Sequence, residues 1–181
     1  MKLRKLGILH TNQRGLTLVG LVIAIAVTGI ISSGVILTIS QMFDHSARSS
    51  ARMTAIKQLE NASHYINRDG QMAQTVEIAD PDPDGFPLTL KWVEWDSNDE
   101  IQVVYFIDET QLKREHYTNR DTNPLPDTST AVAKYLDSDQ CNCTWDDTEG
   151  KLIFTLTCAV SSISGESAET RTWELAPRPS Q

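Results

Sequence analysis

Gly15 to Phe43 reads GLTLVGLVIAIAVTGIISSGVILTISQMF, 29 consecutive residues without a charged side chain. A helix needs about 20 predominantly apolar residues to cross a bilayer, so this run is long enough to span one. Lys2, Arg4, Lys5 and Arg14 precede it and no acidic residue occurs before Asp44. That asymmetry keeps the N-terminus in the cytoplasm and sends everything after Phe43 outward. A cleavable secretory signal has an apolar region of only about 7 to 15 residues, which disfavours that reading. The run reads instead as a single-pass anchor in the cytoplasmic membrane, with the lipid bilayer as its first partner.

Working outward, the helical pattern continues past Asp44. Met53, Ile56, Leu59, Ala62 or Ser63, and Ile66 recur at three- to four-residue steps, while Arg52, Lys57, Glu60 and Arg68 fall elsewhere. This predicts a helix with one buried stripe, ending between Asp69-Gly70 and Gln74, with Gly70 available as a C-terminal cap or passed through at a cost of about 1 kcal/mol. Beyond Gln74 the period changes to two. Segments 75–79, 88–95, 101–108, 111–117, 131–136, 152–160 and 170–175 are rich in β-branched and aromatic residues and read as strands. Leu152, Phe154, Leu156, Cys158 and Val160 share one face by alternation. Turn residues at 96–99 and 108–110 predict an antiparallel meander of strands 88–95, 101–107 and 111–117. The expected fold is α+β: a long N-terminal helix whose outer half packs on an antiparallel sheet.

The chain carries 16 basic and 24 acidic residues, a net charge of −8. From Thr75 onward there are 8 basic and 21 acidic residues, a balance of −13. A domain of that sign repels phosphate backbones, which disfavours direct nucleic-acid binding.

Arg14-Gly15-Leu16-Thr17-Leu18-Val19 resembles the processing site of type IV prepilins and pseudopilins: a basic leader ending in Gly, then a hydrophobic residue, Thr and two aliphatics. Gly29, fourteenth after a cut between Gly15 and Leu16, also falls where that family commonly has glycine. The resemblance implies cleavage there by prepilin peptidase, N-methylation of Leu16, and a pilin-like helix on a sheet. It divides the chain into a leader (1–15), a membrane or filament-core helix (16–43), an amphipathic helix (44–74), an extracytoplasmic sheet domain (75–176) and a tail (177–181). Short pieces between residues 60 and 160, among them Ile66-Asn67-Arg68-Asp69 and Leu152-Ile153-Phe154-Thr155-Leu156-Thr157, are similar to minor pseudopilins of the J type and minor pilins of the W type. One position departs from the family: its usual Glu at the fifth mature residue is Gly20 here. Because that carboxylate is thought to neutralise a neighbour's terminal amine, its loss points to a minor subunit, at the filament tip, rather than a bulk pilin. Gly20, Gly29 and Gly34 would allow close helix approach.

Other chemistry is sparse. Asp80-Pro-Asp82-Pro-Asp84-Gly85 has the D-x-D-x-D-G start of a calcium loop, but Lys91 stands where the bidentate Glu belongs. The segment therefore reads as a solvated acidic turn, with calcium kept as the alternative because some pseudopilins bind it. No other cofactor is expected. Cys141, Cys143 and Cys158 lie in the exported part and predict one disulfide from Cys158 to either Cys141 or Cys143. Neither a G-x-S-x-G setting nor a glycine-rich phosphate loop occurs, so no enzyme is expected. Two functions follow from this pattern. The first is a minor structural subunit of a type II secretion pseudopilus or type IV pilus, partnered by other pilins and the inner-membrane assembly machinery. The second is a membrane-anchored extracytoplasmic binding domain unrelated to filaments.

Overall fold

The computed structural model describes residues 17–79, 85–146 and 148–177. It divides into two compact units, Met1–Phe43 and Asp44–Gln181. Helix α1 runs from Leu18 to Met72. Within the first unit its apolar side chains face outward; Leu18, Ile30 and Phe43 are each more than 70% exposed.

Among the described residues, the second unit is built on the rest of α1 and eight strands: β1 (Thr75–Ile78), β2 (Leu88–Val93), β3 (Glu100–Asp108), β4 (Gln111–Thr118), β5 (Thr128–Lys134), β6 (Asn142–Asp146), β7 (Lys151–Ser162) and β8 (Gly165–Leu175). The fold is thus α+β, a long N-terminal helix packed on antiparallel sheet, and the predicted meander is present as β2-β3-β4. The strands form two sheets rather than one, β1-β2-β3-β4-β5 and β6-β7-β8. The link between β5 and β6 stitches them together. Leu136 bridges Cys158, and the Ala159 and Asp137 amides bond the Tyr135 and Thr157 carbonyls.

The buried stripe of α1 keeps the expected Leu59, Ala62, Ser63 and Ile66 but runs on toward the N-terminus through alanines instead of Met53. Met53 is 61% exposed, whereas Ala51, Ala55, Leu59, Ala62 and Ile66 are buried. Small alanines on the inner face let the sheets approach the helix backbone, and packing density outweighs the transfer energy of one flexible methionine. Gly70 is passed through rather than used as the cap. It lies inside α1, and a Cβ there would overlap Leu175 Cδ2. The helix therefore ends two residues later, its inner face closed against the end of β8.

One core joins helix and both sheets. Leu59 and Ile66 pack with Leu88, Leu90, Val103 and Tyr105 of the first sheet and with Leu152, Phe154 and Leu156 of the second. Phe154 stacks on Trp173 at 5.2 Å between ring centroids. The helix also secures a sheet edge at each flank. Asn61 Nδ2 donates to the Val132 carbonyl (2.6 Å) and the Lys134 amide donates to Gln58 Oε1 (2.9 Å), occupying groups of edge strand β5. On β8, Glu169 pairs with Arg52 (2.6 Å) and Arg171 with Glu60 (3.5 Å).

Candidate assembly and anchoring sites

The apolar half of α1 is built for a non-aqueous environment. Thr17 precedes the helix and its Oγ1 accepts the Gly20 amide at 3.3 Å, capping one of the open donors of the first turn. The hydroxyls of Thr28, Ser33 and Thr38 donate to the carbonyls of Ala24, Ile30 and Gly34 at 2.7 to 2.9 Å. Each of these three hydroxyls is thereby satisfied by its own helix, as a lipid or helix-bundle environment demands. The segment is long and apolar enough to cross a membrane, and none of its apolar window is buried by the described residues.

Gly29 and Gly34 have open space where a Cβ would stand, whereas one on Gly20 would come within 3.3 Å of Thr17 Oγ1. Glycine at 29 and 34 is therefore not required by any contact among the described residues. The cleavage pair Gly15 and Leu16 and the carboxylates Asp80, Asp82 and Asp84 lie outside the described residues. Gly85, which completes the acidic motif, is explained by the fold: its φ is +67° and a Cβ would strike the Cys143 carbonyl. Among the described residues no group of three or more His, Cys, Asp or Glu is arranged to hold a metal.

The three cysteines are buried thiols, with no disulfide joining them. Burial raises the Cys143 thiol to about 12, and burial together with nearby Cys141 raises Cys158 to about 11. Both stay protonated, and hence weakly nucleophilic, at neutral pH. The register separates the alternatives for a pair. Cys143 faces Phe154 across β6 and β7, four positions from Cys158 along β7. At roughly 3.3 Å per residue that offset is about 13 Å, well beyond the roughly 7 Å limit for bridged Cα atoms. Cys141 Sγ instead accepts the Thr157 amide at 3.5 Å, next to Cys158.

The sequence reading missed a buried ionic cluster at the end of α1. Asp69 is fully buried, and its Oδ2 accepts from Tyr105 Oη and Arg114 Nε, both at 2.6 Å. Its Oδ1 accepts from Arg68 at 3.1 and 3.2 Å. Burial and the Asp69 carboxylate both push the Tyr105 hydroxyl above its usual range. Burial opposes the charge on Arg114, but Asp69 outweighs it and holds the guanidinium protonated. The signal was available: Asp69 continues the three- and four-residue spacing of Leu59, Ala62 and Ile66, and Arg114 takes an inward place two residues after Leu112. An open cleft of about 620 Å³ beside this cluster is lined by Arg68, Trp92, Asp99 and His116, among others. Because the cluster's carboxylate and guanidinium are committed to each other, the arrangement suits holding the fold rather than turning over a substrate.

Residues 10–36 match the family model described as the prokaryotic N-terminal methylation motif. No curated protein and no solved structure matches the chain. The matched motif is of prepilin type and supports a type IV pilin-like or pseudopilin relationship, with processing by prepilin peptidase and assembly with other pilins.

Proposed function

We propose that this chain is a minor, low-copy subunit of a type II secretion pseudopilus or type IV pilus, placed at the filament tip. The reading is carried by one observation: the methylation motif runs directly into an uncovered apolar helix that continues into a helix-on-sheet unit. A structural subunit, rather than an enzyme, accounts for all three parts. In this reading the leader is residues 1–15, Leu16 becomes the methylated terminus, and residues 16–43 anchor the chain in the cytoplasmic membrane before entering the filament core. The sheet domain lies outside the cytoplasm throughout.

Gly20 supports the minor role. A carboxylate here would sit three residues after the Thr17 cap, deep among apolar helices, where an unpaired charge is costly. Without it the subunit cannot neutralise a neighbour's terminal amine and is suited to an end position. Short pieces of the pattern between residues 60 and 160 are similar to the J-type pseudopilins and W-type pilins. Co-expression with prepilin peptidase followed by N-terminal sequencing tests the first step, with N-methylated Leu16 expected. An intact Met1 would instead leave the membrane-anchored binding domain. Quantitative mass spectrometry of purified filaments tests the second, and recovery as the major subunit would sink the tip assignment.

A further inference from the structure

We propose that the tip of the β7–β8 hairpin is a lipid-contacting foot that rests on the membrane surface before the subunit is assembled. The inference rests on the reading of residues 16–43 as a membrane anchor. Strand β8 runs back along α1: Leu175 lies against Gly70, Arg171 pairs with Glu60, and Glu169 with Arg52. At about 1.5 Å per helical residue, Gly70 to Asp44 spans about 39 Å. At about 3.3 Å per strand residue, Leu175 to Ser164 spans about 36 Å. The hairpin therefore reaches its end at Asp44, the first residue after the apolar run. It is fastened there, because Ser164 Oγ donates to Asp44 Oδ1 at 3.0 Å and Arg48 Nε donates to the Ser164 carbonyl at 3.2 Å.

The two residues of the turn, closed by the Ser162–Gly165 pair, are Ile163 and Ser164. Tight hairpin turns favour Gly, Asn, Asp and Ser. Ile163 is instead fully exposed at 102%, with no cover from the described residues. An isoleucine held at the level where the apolar run gives way to Asp44, His45 and Arg48 faces the boundary between hydrocarbon and headgroups, and a lipid surface is the occupant that covers it. A protein partner fits less well, since one protruding side chain falls far short of the roughly 800 Å² per partner of a stable interface.

The test uses the full chain in phosphatidylethanolamine–phosphatidylglycerol vesicles containing headgroup nitroxide lipids. An environment-sensitive dye is attached through S161C, since the native thiols are buried. Blue-shifted, nitroxide-quenched emission is expected, with both effects lost in S161C/I163D; the same dye on L125C should stay solvent-like. Dye on I30C monitors the anchor separately. Quenching at 30 with solvent-like emission at 161 would overturn the foot while sparing the anchor, and solvent-like emission at both would overturn both. Equal quenching at 125 and 161, or a blue shift at 161 that requires added pilin subunits, would also overturn it.

Discussion

Arg114 Nε on β4 donates to Asp69 Oδ2 on α1 at 2.6 Å, joining residues 45 positions apart in a site where Asp69 is wholly buried. With Tyr105 donating to the same oxygen, the pair ties the last turn of the helix to the two central strands β3 and β4. Removing one partner strands the other: Arg114→Met should destabilise the full chain in detergent by about 3 to 5 kcal/mol, and Asp69→Asn/Arg114→Met by clearly less than the sum of the singles. Chemical denaturation of the four species in a double-mutant cycle measures this, and additive effects would refute the coupling.

Gly70→Ala tests the seam between α1 and β8. Helix propensity alone favours Ala by about 1 kcal/mol, but the added methyl would overlap Leu175. Overpacking of this kind typically costs about 1 to 3 kcal/mol. A net loss of stability is expected, partly restored by Leu175→Val. A more stable Gly70→Ala chain would show that the seam is loose.

The cysteine pair can be read under oxidising conditions. Cys141–Cys158 is the expected disulfide, with Cys143 remaining a thiol because register holds it away from Cys158. Closing a loop of this length stabilises by roughly 3 kcal/mol in the chain-entropy model. Peptide mapping of non-reduced protein checks it; a Cys143–Cys158 peptide would contradict the register.

Alkaline pH should weaken the fold through Cys143. Its thiol sits at about 12 in the folded chain against an ordinary value of 9.0, because burial disfavours the thiolate. The folded state therefore holds this proton more tightly than the unfolded state does. The resulting contribution is complete below pH 9 and is lost as pH rises toward 12. Denaturation midpoints measured across that window should fall, and Cys143→Ala should fall less steeply.

Gly20→Glu would complete a Thr-x-x-Glu capping box with Thr17, yet an unpaired carboxylate at this depth costs roughly 2.5 to 3.5 kcal/mol on insertion scales. Stable membrane insertion of this variant is expected only when other pilin subunits supply an amine. Carbonate extraction with and without those subunits measures it, and full insertion of the variant alone would remove the argument for a paired site.

The sequence by itself determined the elements whose signal is local. An uncharged run from Gly15 to Phe43, the helical spacing through Ile66, and the two-residue alternation of β2, β3, β4 and the Leu152–Cys158 face are each written in neighbouring residues. The methylation motif belongs to the same class, being written in consecutive residues within 10–36, whereas the Thr17 cap emerged only with the structure. Only the tertiary structure decided how the buried stripe ends toward Asp44, where Ala51 and Ala55 rather than Met53 face inward. It also decided that β6 forms from Asn142-Cys143-Thr144-Trp145-Asp146 and that β8 begins at Gly165 rather than Thr170. β6 alternates over only two apolar residues, Cys143 and Trp145, and the added start of β8, Gly165 to Glu169, has no apolar alternation; both strands are held in place by ladder bonds to β7. The Asp69–Arg114 pair and the seating of Ser164 against Asp44 depend on residues 45 and 120 positions apart. Their spacing along the chain carries no periodic signal, and only folding, by burying a carboxylate or laying a hairpin along a helix, makes them partners.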